Sequence, residues 1–176
     1  MNSKAFFAGG CFWCTEAIFK RVRGVEKVLP IYIGGDIKNP SYKEVCSGRT
    51  GHTEGVEIIY NPKTVSYETL LLIFFTTHDP TTLNRQGNDI GTQYRSAIFY
   101  ETEKEKEIVR QVIQKIVNES IYENEIITNL ELKSSYYYAE SEHQDFFDTN
   151  KNHPYCQAII SPKINKFREE YLNKIK

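Results

Sequence analysis

The chain has 176 residues, 40% of them hydrophobic and 26% charged, which suffices for one well-packed core and a single domain over residues 1–176. A formal net charge of −1, with the charges interspersed, excludes the basic field on which nucleic-acid binding depends. Four cysteines without dense spacing make no disulfide framework, and the apolar run at residues 5–8 is too short for a signal or membrane segment, so the expected setting is cytoplasmic with no membrane partner.

Residues 4–8 read as a short apolar strand, Gly9-Gly10 as a tight turn, and Cys11 as the residue that opens a helix, because Ala17, Ile18 and Val22 recur at helical spacing. A thiol at that position meets the free N–H groups and partial positive charge of a helix N-terminus, which favour the nucleophilic thiolate. The glycines, Gly10 above all, let a substrate approach the backbone closely. Phe12 and Trp13 lie beside the thiol, and Cys14 completes a C-x-x-C pair. A structural zinc site would need a second pair of ligands at similar spacing; Cys46 and Cys156 stand far apart, so no metal is expected.

Further along, residues 25–35 alternate toward Ile31 and Ile33 as a strand, and residues 36–53 form a polar loop carrying Tyr42, Cys46, Arg49 and His52. Val56, Ile58 and Tyr60 alternate as the next strand, with Glu54 just ahead of it. Ser66 is the N-cap of a helix whose residues 70–75 are apolar all round and therefore buried, and Asp79-Pro80 ends it. A second polar loop spans 81–93, followed by a strand over 94–100. Thr102 or Glu103 starts the longest helix, with Ile108, Val109, Val112, Ile113, Ile116 and Val117 on one face. Residues 126–132 read as a strand, and weak helical signals appear around 140–149 and 163–174. This order predicts an α+β fold, a two-layer sandwich with a ferredoxin-like (split βαβ) core, extended loops and a C-terminal tail. The alternative is a thioredoxin-like fold, in which C-x-x-C also opens a helix after a strand.

Four stretches together resemble the A-type peptide methionine sulfoxide reductases: Gly10-Cys11-Phe12-Trp13, residues 39–42 (Asn-Pro-Ser-Tyr), residues 45–54 (Val-Cys-Ser-Gly-Arg-Thr-Gly-His-Thr-Glu) and residues 78–96 from His-Asp-Pro to Gln-Tyr-Arg-Ser. They occur in the expected order over most of the chain. The resemblance implies thiol-dependent reduction of methionine-S-sulfoxide, free or in oxidised proteins, without organic cofactor or metal. It points to Cys11 as the nucleophile that becomes a sulfenic acid, and to Glu54 as the proton donor. Tyr42 and Tyr94 would supply phenolic donors to the sulfoxide oxygen, and Asp89 would orient a neighbour, with Phe12 and Trp13 walling an apolar slot for the S-methyl group. His52 reads as a loop-holding residue, His143 as a structural hydrogen-bonder and Cys46 as a small buried thiol.

The sulfenic acid must condense with a second thiol before thioredoxin or a similar dithiol reductant resets the enzyme, which is expected to act as a monomer. Cys156, after residues 152–155 (Asn-His-Pro-Tyr), corresponds to the resolving cysteine that such proteins carry on a mobile C-terminal segment. Here residues 157–163 continue into a charged, helix-forming end instead of a glycine-rich tail with a further cysteine, which leaves Cys14, at i+3 on the first helical turn, as the rival. The competing functions are a thioredoxin-like thiol-disulfide oxidoreductase using Cys11 and Cys14, and a non-enzymatic redox sensor.

Overall fold

The computed structural model describes residues 1–176. Strand β1 (Ser3–Ala8) runs through the centre of a six-stranded sheet. After it come α1 (Phe12–Phe19), β2 (Val25–Ile33), the short α2 (Tyr42–Cys46), β3 (Thr53–Tyr60) and α3 (Tyr67–Thr77). A two-stranded hairpin, β4 (Arg85–Gln86) and β5 (Asp89–Ile90), leads through a 3-10 turn at Thr92–Tyr94 into β6 (Ala97–Tyr100). The chain then forms α4 (Glu103–Asn118), β7 (Asn129–Leu132), β8 (Tyr136–Tyr138), α5 (Phe146–Thr149) and α6 (Ser161–Glu170).

The sheet order is β7-β6-β1-β3-β2-β8. Its inner four strands, β6-β1-β3-β2, are antiparallel neighbours, with β3 inserted between the two strands that α1 connects. That is the split βαβ arrangement, and the thioredoxin-like alternative, in which a βαβ unit brings parallel strands side by side, is not formed. Only β7 joins in parallel, against β6. The helices cover one face over a core of 32 buried residues, and a smaller cluster of six, including Phe6, Ile31, Ile33 and Phe99, fills the other face.

Local chemistry explains most of the elements. Ser66 caps α3 by accepting the Thr69 N–H, and Thr102 caps α4 by accepting that of Glu105. On α4, Val109, Val112 and Ile116 are buried, whereas Val117 lies at the margin and is exposed. Two elements depart from the expected loops. Helix α2 forms inside residues 36–53 through a reciprocal capping box, Ser41 with Glu44, and β8 forms from three tyrosines that pair with Ile31–Ile33 of β2. Strand β3 also starts earlier than its apolar alternation suggests, so Glu54 is its second residue. At the C-terminus a π turn at Cys156–Ile160 runs into α6, and the last residues pair with residues 21–23 through a Val22–Ile175 bridge flanked by two backbone hydrogen bonds. No helix is long and apolar enough to cross a membrane.

Candidate active site

Strand β1 ends where Gly10, at φ +83°, turns the chain into α1. A side chain there is doubly disfavoured, because a Cβ would sit 2.6 Å from the Gln86 side chain. Gln86 in turn is fixed by both of its amide atoms to the backbone of Asp79, each at 3.0 Å. Cys11 is the N-cap of α1, in extended conformation, and its carbonyl accepts the Cys14 N–H at 3.1 Å. Every residue of α1 except Trp13 is buried.

The register across the sheet sets Glu54 of β3 opposite Tyr32 of β2, and Tyr32 opposite Tyr137 of β8. Directly opposed residues share a face, so Glu54 points to the helix side. It is 1% exposed. One carboxyl oxygen accepts the Phe12 backbone N–H at 3.2 Å, and the other has no protein partner. Burial pushes this carboxyl up to about 8, against the pull of the Phe12 N–H, so it is an acid at neutral pH.

The thiols behave differently from the expectation based on the helix terminus alone. Burial, then the Cys14 side chain and the Glu54 charge, push Cys11 well above the ordinary thiol range, although the Trp13 backbone N–H pulls it down. An eight-residue helix end does not outweigh that desolvation. Cys14, by contrast, is drawn down to about 7, first by its contact with the Cys11 side chain.

Around this centre the aromatic groups interlock. The Phe12 ring, fully buried, lies 6.4 Å from Tyr42 in a stacked arrangement and 5.6 Å from His143. Trp13 donates its indole N–H to Nδ1 of His143 at 3.2 Å and has one face covered by Phe146, centroids 3.7 Å apart. Tyr42, first residue of α2, and Tyr94, at the end of the 3-10 turn, both have hydroxyls pushed upward by burial and then by the Glu54 charge, so both remain donors. Asp89 of β5 accepts the Tyr155 hydroxyl at 2.6 Å, and that hydroxyl is 3.8 Å from the Cys14 sulfur.

Cys11 and Cys14 line a cleft of about 270 Å³ together with Gln86, Asp89, Tyr155 and Lys163. Phe12 and Trp13 stand behind Cys11 and do not line this opening. Cys156 opens the π turn and has no exposed surface. The Cys14 charge pushes its thiol further up, which places the two near one another. Cys46 is half-buried beside the Tyr42 hydroxyl and is not the core thiol expected of it. His52 holds two loop backbones together: Nδ1 accepts the Gly35 N–H at 3.0 Å, and Nε2 donates to the Ile37 carbonyl at 2.7 Å.

Sequence reasoning missed Glu140, which accepts from the Tyr42 N–H and the Tyr32 hydroxyl, as well as Phe146, Tyr155 and Lys163. The one available signal was the crowding of aromatic and acidic residues over 136–155.

A family model described as peptide methionine sulfoxide reductase matches residues 3–175. The protein "Peptide methionine sulfoxide reductase MsrA" of Deinococcus radiodurans is 48% identical over 175 residues, which cover 99% of this chain and 85% of that protein. The reduced form of Mxr1 from Saccharomyces cerevisiae superposes with a TM-score of 0.80 at 32% identity, covering 88% of this chain and 89% of that one. A further structure, Mxr1 in complex with Trx2, aligns at a TM-score of 0.56 and 21% identity, covering 82% and 84%.

Proposed function

The chain belongs to the peptide methionine sulfoxide reductase family, and from that premise we propose that Cys11 attacks the sulfur of a methionine-S-sulfoxide while Glu54 protonates its oxygen. The chain is an enzyme that reduces methionine sulfoxide at the expense of thiols. The observation that carries the assignment of roles is the Glu54 carboxyl. It is tied through one oxygen to the residue after Cys11, has its other oxygen free, and stays protonated up to about 8.

Burial disfavours the Cys11 thiolate before substrate arrives. A bound sulfoxide whose oxygen faces Glu54, Tyr42 and Tyr94 turns its electropositive sulfur toward Cys11, which favours the thiolate at the moment it is needed. The net step converts Cys11 thiol and sulfoxide into Cys11 sulfenic acid and methionine, the oxygen passing from substrate sulfur to cysteine sulfur. Gly10 admits the substrate and Asp89 orients the Tyr155 hydroxyl, while Phe12 and Trp13 supply the apolar surround behind Cys11.

For the resolving thiol, what favours Cys14 is its place on the same helical turn and its direct contact with Cys11, whereas Cys156 lies fully buried and needs the π turn to open. The reductant is thioredoxin or a similar dithiol, in keeping with the complex that yeast Mxr1 forms with Trx2. Repair of oxidised proteins by a monomeric, single-domain enzyme in a reducing, cytoplasmic setting completes this reading.

The test is the amount of methionine released from S- and R-sulfoxide by the reduced protein and its Cys11→Ser, Cys14→Ser and Cys156→Ser variants, without added reductant. Release from the S epimer alone, lost only in Cys11→Ser, is expected, with thiols remaining unpaired in Cys14→Ser. Absence of release from either epimer would sink the assignment.

A further inference from the structure

We propose that Lys163 is an electrostatic positioning residue for the resolving step, holding Cys14 as the thiolate that attacks oxidised Cys11. This rests on the reading of Cys14 as the resolving thiol. Lys163 is the third residue of α6 and is half-buried. It lines the cleft that contains Cys11 and Cys14, and also a narrow cavity on the other flank of Cys14 shared with Gly9, Thr15 and His78. It therefore borders Cys14 from two sides.

Its ammonium makes no ion pair, although Asp89 shares the cleft with it and Asp79 and Glu170 line a further cavity beside it. No carboxylate lies within ion-pairing distance of Lys163, whereas the next basic residue on the helix, Lys166, faces Glu170 at 3.8 Å. The titratable and charged groups around Cys14 are Cys11 at the start of α1, Glu54 on β3, Asp89 on β5, and Tyr155, Cys156 and Lys163 from the C-terminal segment. Glu54 is an acid at neutral pH, and Asp89, bonded to Tyr155, is the anion whose charge opposes the Cys14 thiolate. His78, in the second cavity, is pushed down to about 4 by burial and stays neutral. Lys163 is thus the one fixed positive charge among them, and it draws the Cys14 thiol down after the larger effects of Cys11 and of burial.

The placement follows from the part of the chain that departs from the glycine-rich tail expected of the family. Residues 156–160 form a π turn, and α6 continues directly from it, which carries Lys163 back over α1. A rigid helical end in this position supplies a cation where a loose tail would supply reach.

In the step concerned, the Cys14 thiolate attacks the Cys11 sulfur of the sulfenic acid. The sulfur–oxygen bond breaks, an S–S bond forms, and the departing hydroxide takes a proton and leaves as water. Cys14 is oxidised and the sulfenic sulfur reduced, with no further reagent. Only the thiolate fraction of Cys14 reacts, so a neighbouring cation acts chiefly below and around neutrality.

The experiment follows methionine release and disulfide formation separately, in reductant-free single turnovers over a range of pH, for the wild type, Lys163→Met and Lys163→Arg. In Lys163→Met, disulfide formation should slow about five- to tenfold relative to methionine release below neutral pH and regain the wild-type rate in alkali. Lys163→Arg should restore the wild-type pH midpoint. An unchanged midpoint in Lys163→Met, or equal slowing at every pH, overturns the proposal. Cys14→Ser separates the two levels: loss of the disulfide upholds Cys14 as resolving thiol whatever Lys163 does, and a Cys11–Cys156 bridge formed at the wild-type rate overturns that reading itself.

Discussion

Glu54 would be an ordinary surface charge on an edge strand. Pairing of β3 with β1 on one side and β2 on the other removes it from water, and the carboxyl responds by keeping its proton to about 8. Glu54→Gln preserves the acceptor for the Phe12 N–H and removes the acid, so methionine release should fall about 10²–10⁴-fold in a single turnover. The same substitution has a stability signature. The folded value lies above the ordinary 4.5, so the native state holds a proton that the unfolded chain gives up, and stability falls as pH rises from about 4.5 to about 8. Glu54→Gln lacks that loss; its stability should gain on the wild type across this window, by about 4–5 kcal/mol at the upper end. Parallel thermal melts at pH values near the two ends check it, and a constant gap would contradict a buried acid. The candidate role of Glu54, and the burial that role requires, were legible through its motif, but its place inside β3 was not, because the alternation that marks the strand begins only at Val56.

Helix α1 carries more than the nucleophile. Its buried Glu16 accepts the Asp145 N–H at 2.9 Å, Lys20 pairs with Asp145 and Asp148, and Arg21 pairs with Asp148 at 2.9 Å. These contacts hold α5 so that Phe146 covers the Trp13 face, which a substrate methyl group would otherwise meet. Burial pushes the Glu16 carboxyl up to about 7, so this link is charged only above neutrality, while its acceptor oxygen serves in both forms. Trp13 is the only tryptophan, so tryptophan emission, excited selectively over the tyrosines, reads this stack alone. Glu16→Ala leaves the Asp145 N–H without its acceptor and should shift the emission to the red and cost about 1–3 kcal/mol of stability; Glu16→Gln should restore the emission. An unshifted spectrum in Glu16→Ala would mean that α5 is held by its aspartates alone. Elements long enough to show a period, such as α3 and α4, were readable from sequence. Helix α2 was not, since its five residues depend on one capping box, nor was β8, whose three tyrosines become a strand only by pairing with β2.

Over the whole molecule, the C-terminal segment is fastened at both ends. Val22 and Ile175 bridge, the Arg23 N–H reaches the Lys174 carbonyl, and Ile160, Ile164 and Phe167 enter the main core. Cys156 sits at the start of this fastened stretch without exposed surface, whereas Cys46, the last residue of α2, is half-buried. Alkylation of the native, reduced protein should therefore label Cys46 well before Cys156. Labelling of Cys156 should track cooperative opening of the C-terminal helices and accelerate with denaturant. Mass mapping of alkylated peptides over time distinguishes this order, and early labelling of Cys156 would restore the mobile tail and, with it, direct reach to Cys11.

What the sequence by itself determined is local or combinatorial: the helix opened by Cys11 after two glycines, the long amphipathic α4, the α+β class and the family motifs. These depend on periodicity, caps and residue order, all of which act within a few turns of chain. What only the tertiary structure decided is which groups meet across large separations. Trp13 bonds to His143, 130 residues away, Asp89 holds Tyr155, 66 residues away, and α6 brings Lys163 beside Cys14. The ionisation of Glu54, Cys11 and Cys14 belongs with these, because desolvation and Coulomb interaction depend on distance in space, which no local pattern encodes.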